Sequence, residues 1–213
     1  MLLTHGFTGS SRDWAKLVAP LAESHTVITW DLRGHGKSAA PDDPAQYSVE
    51  LAVADMAALL DRAGAERAVL VGHSLGGFLS LAFHLAHRER VRALALVDTG
   101  PGYRKDEARA GWNRMVEKRA VELEKKGAPG LAHAARGILA QRDGRAIESL
   151  ATIAVPALVV VGEHDEPFLA GSKHMAEKVP GARLALVPGA GHSPQDSHPQ
   201  EVLAQLLELL ARA

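Results

Sequence analysis

The chain has 213 residues, with 24 Lys and Arg against 25 Asp and Glu, which gives a formal net charge of -1 at pH 7. This balance provides no field to attract nucleic acid or an anionic membrane, and we expect neither as a partner. The absence of cysteine excludes disulfides, thiolate metal sites and cysteine nucleophiles. No apolar run approaches the roughly 20 residues of a membrane helix, and no signal region precedes His5. We therefore expect a cytoplasmic protein with a single domain over residues 1–213.

Six short runs rich in valine, isoleucine and leucine recur along the chain, with helix-like segments between them. They are residues 1–4, 26–30, 68–71, 91–97, 157–161 and 183–187. Stretches within them, such as residues 93–97 and 158–161, are apolar at every position, which is typical of parallel strands covered on both faces. The intervals carry apolar residues at helical spacing, as at Trp14, Leu17 and Leu21. The pattern predicts an α/β fold with a mostly parallel sheet of about six strands and helices on both faces.

Residues 101–154 interrupt this alternation, because they contain many charges and no strand signal. Trp112, Met115 and Val116 belong to one apolar helical stripe, and a second stripe follows the glycines and proline of residues 127–130. We expect a short helical cap insertion. Such stripes usually pack an insertion against its domain, and the alternative is that some of these side chains face a substrate.

The most informative motif is the sequence GHSLGG at residues 72–77, which follows a strand-like run and precedes a helix-like one. Glycines on both sides of Ser74 permit a sharp turn that exposes the serine above the sheet edge. The amino end of the next helix directs free amide groups to the same place, which favours an anion there. This context predicts that Ser74 is a nucleophile, the alternative being a glycine-rich turn with a solvated serine.

A serine nucleophile requires a base within hydrogen-bond reach and a third group that orients this base. Of the 11 histidines, His192 directly follows the last predicted strand, where a loop could return it to Ser74. Asp165 follows the strand at residues 157–161, and Asp98 closes the strand at residues 91–97. Both aspartates are therefore candidates for the orienting acid.

The loop LTHGFTGS at residues 3–10 joins the first strand to the first helix, and its glycines permit a close approach of the backbone. We expect the amides of Phe7 and Leu75 to form an oxyanion hole beside the serine. The alternative is an ordinary glycine turn. The side chains or backbone expected to contact a substrate are those of His5, Gly6, His73, Phe78, Trp112 and Met115.

Four stretches together carry a family resemblance: HGF at residues 5–7, GHSLGG at 72–77, GEHD at 162–165 and GH at 191–192. Over almost its whole length the chain resembles serine esterases of the α/β-hydrolase superfamily. In this fold the acid more commonly follows the later strand, which favours Asp165 over Asp98. The resemblance implies a Ser74, Asp165 and His192 triad that cleaves a carboxylic ester of small to medium acyl chain, with no metal and no organic cofactor. It also implies that the loop at residues 31–38 braces the site.

Members of the family usually have two further strands before the loop that contains Gly6, and their caps are often longer. If the family's strand order holds, the strand at residues 26–30 becomes an edge with unpaired backbone groups. We expect a homodimer formed through this edge.

The motifs leave the scissile bond open. The loop at residues 7–10 and the pair Asp13-Trp14 resemble the menaquinone-pathway synthase of this fold, a lyase that eliminates pyruvate and must hold carboxylates. An arginine after the two glycines would suit that need, whereas this chain has Phe78. A C–C bond hydrolase or a perhydrolase-like enzyme also fits the triad. An alternative of another class is a ligand-binding receptor on the hydrolase scaffold, against which the retention of every catalytic element argues.

Overall fold

The structure is a computed structural model that describes residues 1–213. Its six strands form one sheet in the order β2-β1-β3-β4-β5-β6, and every neighbouring pair is parallel. The strands are β1 (Leu2–Thr4), β2 (Ile28–Trp30), β3 (Ala68–His73), β4 (Val91–Val97), β5 (Ala157–Gly162) and β6 (Arg183–Val187). The predicted α/β fold with a parallel sheet of six strands is confirmed.

Helices fill the intervals between the strands. They are α1 (Ala15–Ala22), α2 (Val49–Arg62), α3 (Leu75–Ala86), α4 (Asp106–Lys125), α5 (Pro129–Ala134), α6 (Arg145–Ser149), α7 (Glu166–Lys178), α8 (Pro194–Ser197) and α9 (Pro199–Leu210). Short 3₁₀ turns span Ser11–Trp14, Pro44–Gln46, Arg88–Arg90 and Leu150–Thr152, and a π-helical turn spans Ala135–Leu139. None of the helices is both long and apolar enough to cross a lipid bilayer.

The sheet separates two apolar cores, because successive side chains of a strand point to opposite faces. Leu70 and Leu94 belong to the core that α2, α3 and α7 cover, whereas Val69 and Ala93 belong to the core that α1 and α9 cover. Both faces of the central strands are buried. This double burial is the physical reason why most positions of the central strands are apolar, rather than every second one.

The strand β2 lies at one edge of the sheet and pairs only with β1, with Ile28 opposite Leu2. The edge position predicted for this strand is confirmed, although the strand begins at Ile28 rather than at residue 26. The homodimer expected through this edge stays a prediction.

Helices α4, α5 and α6 lie between β4 and β5, in the segment predicted to be a helical insertion. Helices α4 and α5 share a small core of their own, which includes Val116, Leu123 and Ala132. Arg136 forms ion pairs with Glu117 and Glu124 of α4. The insertion also supplies one wall of a cavity beside Ser74.

Candidate active site

Ser74 lies in a strained turn between β3 and α3. Its backbone has φ 52° and ψ -116°, a region that residues with a side chain rarely adopt. A Cβ atom placed on Gly72 would overlap the Gly76 carbonyl, and one on Gly76 would overlap the Thr4 carbonyl. Gly72 is therefore required by the close approach of the two arms of the turn, and Gly76 by the close approach of α3 to the end of β1. Such strain costs on the order of 1–3 kcal/mol and clusters at functional sites.

The structure brings the three predicted catalytic side chains together at the carboxyl ends of the strands. The Nε2 atom of His192 lies 3.1 Å from the Ser74 hydroxyl oxygen. Its Nδ1 atom lies 2.8 Å from the Oδ2 atom of Asp165. When Nδ1 donates to this carboxylate, Nε2 is free to accept the hydroxyl proton. The side chain of Asp165 is 4% exposed and that of His192 is 43% exposed, so the acid is shielded while the base faces solvent.

Two neighbours hold His192 in place. The His73 Nε2–H donates to the backbone carbonyl of His192 at 2.5 Å. Phe168 stacks on the His192 ring, with 4.8 Å between the ring centroids and 24° between the planes. Burial lowers the pKa of His73 to about 4, which keeps this imidazole neutral at physiological pH. Both contacts fix the position of His192, and neither neighbour acts as a second base.

The two histidines predicted to contact a substrate, His5 and His73, are buried. His73 is only 5% exposed and serves His192 instead. His5 is fully buried: its Nδ1–H donates to the Gly6 carbonyl at 2.7 Å, and its Nε2 accepts from the Leu32 amide at 3.0 Å. With both ring nitrogens bonded inside the protein, His5 shapes the loop. The structure thus shows both imidazoles bonded within the protein, and the substrate contacts of His5 and His73 stay predictions.

The amides predicted to form an oxyanion hole lie on two elements that meet at Ser74. A Cβ atom on Gly6 would lie 3.1 Å from the Cβ of Ser74, so the loop that carries Phe7 approaches the serine closely. The Phe7 amide donates to no acceptor in the protein. Leu75 is the first residue of α3, so no preceding helical turn accepts from its amide. Both amides are thus available to a bound oxygen atom.

Asp98 lies behind the Asp165 carboxylate and makes no hydrogen bond to His192. Its side chain is fully buried, and its Oδ1 accepts from the Gly162 amide at 2.9 Å. Burial, followed by the nearby Asp165, raises the pKa of Asp98 to about 8. Side-chain oxygen or nitrogen atoms of Asp98, Asp165 and His192 all lie within 4.8 Å of one another. A protonated Asp98 is a poor metal ligand. The carboxylate that accepts the hydrogen bond from His192 is that of Asp165.

The buried Asp98 predicts a specific pH dependence of stability. The folded protein keeps this proton up to about pH 8, whereas an aspartate has an ordinary pKa of 3.8. Unfolding between these pH values releases a proton, so the free energy of unfolding falls as the pH rises, by about 1.4 kcal/mol per pH unit from this group. Asp98→Asn removes the contribution. Urea titrations of both proteins between about pH 5 and pH 7 measure the difference in slope, and equal slopes would contradict a protonated Asp98.

A cavity of about 210 Å³, called the front cavity below, opens beside Ser74. Phe78, Trp112, Leu139 and Phe168 form much of its wall, and none of its lining residues carries a charge. Met115, which was predicted to contact the substrate, is 53% exposed and lies outside this wall. The helix thus turns Trp112 to the cavity and Met115 to solvent, and the substrate contact of Met115 stays a prediction. The substrate contacts expected from Gly6, Phe78 and Trp112 stay predictions.

The loop at residues 31–38 is held to neighbouring elements by hydrogen bonds and an ion pair. Asp31 accepts from the Ser11 amide at 2.6 Å and from the Lys37 amide at 2.7 Å. Arg33 forms a two-pronged ion pair with Asp55 of α2, at 2.7 and 2.8 Å. These contacts tie β2 to the first loop and to α2.

Two supporting residues escaped prediction from the sequence. The Thr99 hydroxyl donates to the Ser74 carbonyl at 2.6 Å, and Phe168 stacks on His192. Thr99 is the second residue after β4, next to Asp98, and Phe168 follows Asp165 by three residues at the start of a helix. Their positions near strand ends indicate that they lie close to the site, but neither residue type predicts a role as acid, base or nucleophile.

Comparison with known proteins places the chain among relatives with this architecture. Residues 1–120 match the model of the family described as alpha/beta hydrolase fold. The chain belongs to the α/β-hydrolase family. This membership agrees with the strand order, the turn at Ser74 and the positions of Asp165 and His192 at strand ends.

Relatives within the family carry several different activities in their names. The chain is 30% identical to the provisionally named carbamate hydrolase RutD of Pseudomonas savastanoi, over 99% of this chain and 93% of that protein. It is 28% identical to the provisionally named 2-succinyl-6-hydroxy-2,4-cyclohexadiene-1-carboxylate synthase of Bacillus subtilis, over 92% and 84%. The solved thermophilic esterase of Thermogutta terrifontis superposes with a TM-score of 0.83 at 26% identity, covering 99% of this chain and 88% of that one.

Proposed function

We propose that this α/β hydrolase cleaves carboxylic esters of small to medium acyl chain through a covalent acyl-enzyme intermediate on Ser74. The continuous hydrogen-bond chain from the Ser74 hydroxyl through His192 to the buried Asp165 carries the proposal. An activated serine beside free amide groups is the arrangement that acyl transfer requires. The esterase of Thermogutta terrifontis shows that proteins with this fold include esterases.

In the proposed reaction Ser74 attacks the ester carbonyl while His192 takes the hydroxyl proton at Nε2. Asp165 holds the imidazole by its Nδ1–H and stabilises the imidazolium that forms. The amides of Phe7 and Leu75 stabilise the negative oxygen of the tetrahedral intermediate. His192 then protonates the leaving alcohol, and a water molecule repeats the sequence to release the acid and restore Ser74.

The front cavity suits the acyl part of the ester. The acyl group stays bonded to Ser74 after the first step, so it occupies the front cavity beside this residue. The alcohol takes its proton from His192, whose side chain faces solvent and does not line the front cavity. A cavity of about 210 Å³ with an apolar wall accommodates a short hydrocarbon chain better than a charged one.

The synthase of Bacillus subtilis provides the second candidate function, a lyase reaction in the same fold. The name of that relative describes a carboxylate product. The front cavity of this chain contains no arginine or lysine, and Phe78 stands where an arginine would suit an anionic substrate. A carboxylate in this cavity would lose water without gaining a cation. The lining residues therefore favour an uncharged acyl group.

Two matched substrates test the proposal. p-Nitrophenyl butyrate and p-nitrophenyl hemisuccinate have acyl groups of the same length, but only the second has a carboxylate. We expect the purified protein to hydrolyse butyrate with a kcat/KM at least about tenfold above that of hemisuccinate, because the carboxylate cannot be solvated in the front cavity. A preference for hemisuccinate would favour the substrates of the synthase, and no release of p-nitrophenol from either ester would contradict esterase activity.

A further inference from the structure

A second cavity, called the rear cavity here, lies behind Phe78. It has a volume of about 300 Å³ and is bordered by α2, α3 and the chain around residues 140–146. Its apolar lining includes Val53, Ala82, Leu85 and Ala146. The charged residues at its margin are Glu50, Asp143, Arg142 and Arg145, two acidic and two basic. The rear cavity therefore has no net preference for an ionised ligand.

Phe78 is the one residue that lines both the front and the rear cavity. The adjoining part of the partition is the chain at residues 139–142, whose residues alternate between the cavities. Leu139 and Gln141 line the front cavity, whereas Ala140 and Arg142 line the rear one. This alternation is expected of extended backbone, and Ala140 has φ -64° and ψ 141°. At Phe78 the partition is a single, partly exposed aromatic ring.

We propose that the rear cavity is a second subsite for the acyl chain of the ester, and that the Phe78 ring sets the upper limit of chain length by closing it off. The inference rests on the proposed esterase function and names the substrate class that removal of the ring would admit. That class is esters of straight, uncharged aliphatic acids, because the walls of both cavities are apolar and neither offers an unbalanced charge. Phe78 is thus a determinant of specificity rather than a catalytic residue.

Phe78→Ala joins the two cavities and is the first variant to test. The measured quantity is the ratio of kcat/KM for p-nitrophenyl octanoate to that for p-nitrophenyl butyrate. Each methylene that becomes buried is worth roughly fourfold, so we expect this ratio to rise between about tenfold and a hundredfold. Phe78→Leu, which disturbs the packing less, should shift the ratio in the same direction by a smaller factor.

A second substitution tests whether the longer acyl chain occupies the rear cavity. Ala82 lines only the rear cavity, one helical turn after Phe78, so Ala82→Leu fills that cavity from its own side. The double variant Phe78→Ala with Ala82→Leu should lose the gain for octanoate, while Ala82→Leu alone should keep the wild-type ratio. An unchanged ratio in Phe78→Ala and Phe78→Leu, or a gain that persists in the double variant, would overturn the inference. Wild-type hydrolysis of butyrate would then still support the esterase function.

Binding without turnover separates the two proposals. In each variant the rise in Tm caused by 1-octanol reports on occupation of the cavities by an aliphatic chain. Octanol should stabilise Phe78→Ala more than the wild type and more than the double variant. If no protein hydrolyses any ester but this pattern of Tm appears, the esterase function fails, while the rear cavity still binds an aliphatic chain once the Phe78 ring is removed. Equal rises in Tm for the three proteins would refute the rear subsite.

Discussion

Ser74→Ala should lower kcat for p-nitrophenyl butyrate by roughly 10⁴- to 10⁶-fold, the loss seen when the nucleophile of a hydrogen-bonded triad is removed. The hydroxyl is the only group on this residue that can form the acyl-enzyme, and its hydrogen bond to His192 is what activates it. The residual rate should come from the oxyanion amides and from substrate binding. Initial rates under saturating substrate measure the change.

Ser24→Ala is the matched control for this variant. Ser24 is an exposed serine beyond the end of α1, and its hydroxyl contacts only the neighbouring His25. We expect its kcat to stay within about twofold of the wild type, as for most surface substitutions. Similar thermal unfolding of the two variants would show that loss of activity in Ser74→Ala is chemical. A Ser74→Ala protein with the wild-type rate would exclude the serine mechanism.

Asp165→Asn should lower kcat by about a thousandfold to ten thousandfold, whereas Asp98→Asn should lower it by less than about tenfold. An asparagine at position 165 can present its NH₂ group to Nδ1, which favours the tautomer of His192 with the proton on Nε2. That tautomer cannot accept the proton of Ser74. Parallel kinetic measurements on the two variants compare chemically identical substitutions at neighbouring buried positions.

The small effect expected for Asp98→Asn follows from its neighbours. The asparagine oxygen still accepts from the Gly162 amide, and its NH₂ group replaces the neutral acid beside Asp165. The pair of variants therefore decides which aspartate orients the base. A larger loss in Asp98→Asn than in Asp165→Asn would reverse the assignment.

Much of the architecture was legible in the sequence because burial on both faces of a sheet leaves runs of valine, leucine and alanine. Strand β4 was predicted with its observed bounds, and β3 extends two residues further than predicted, to His73. The extension includes Gly72 and His73, whose residue types do not indicate a strand. Their extended conformation is imposed by pairing with β4, where Gly72 lies opposite Leu96.

The positions of Ser74, Asp165 and His192 were predictable because each follows a strand, and parallel strands end at one edge of the sheet. The choice between Asp98 and Asp165 was not fixed by this rule, since both follow strands. It is decided by where the His192 ring points, which depends on the loop after β6.

The environments of the histidines could not be predicted from residue type. An imidazole can bind a substrate or complete a buried hydrogen-bond network, and His5 and His73 do the latter. Helical spacing likewise groups Trp112 with Met115 but does not say which side of the stripe meets the body of the protein. The packing of α4 turns Met115 to solvent.

The most direct test of the central claim is covalent labelling with a fluorophosphonate, followed by intact mass measurement and peptide mapping. The wild-type protein should gain the mass of one adduct on the peptide that contains Ser74, because only this serine lies beside a base and an anion site. Ser74→Ala should gain none, and Asp165→Asn should react more slowly than Asp98→Asn. An adduct on another serine, or no adduct on the folded wild-type protein, would contradict the assignment of Ser74 as the nucleophile.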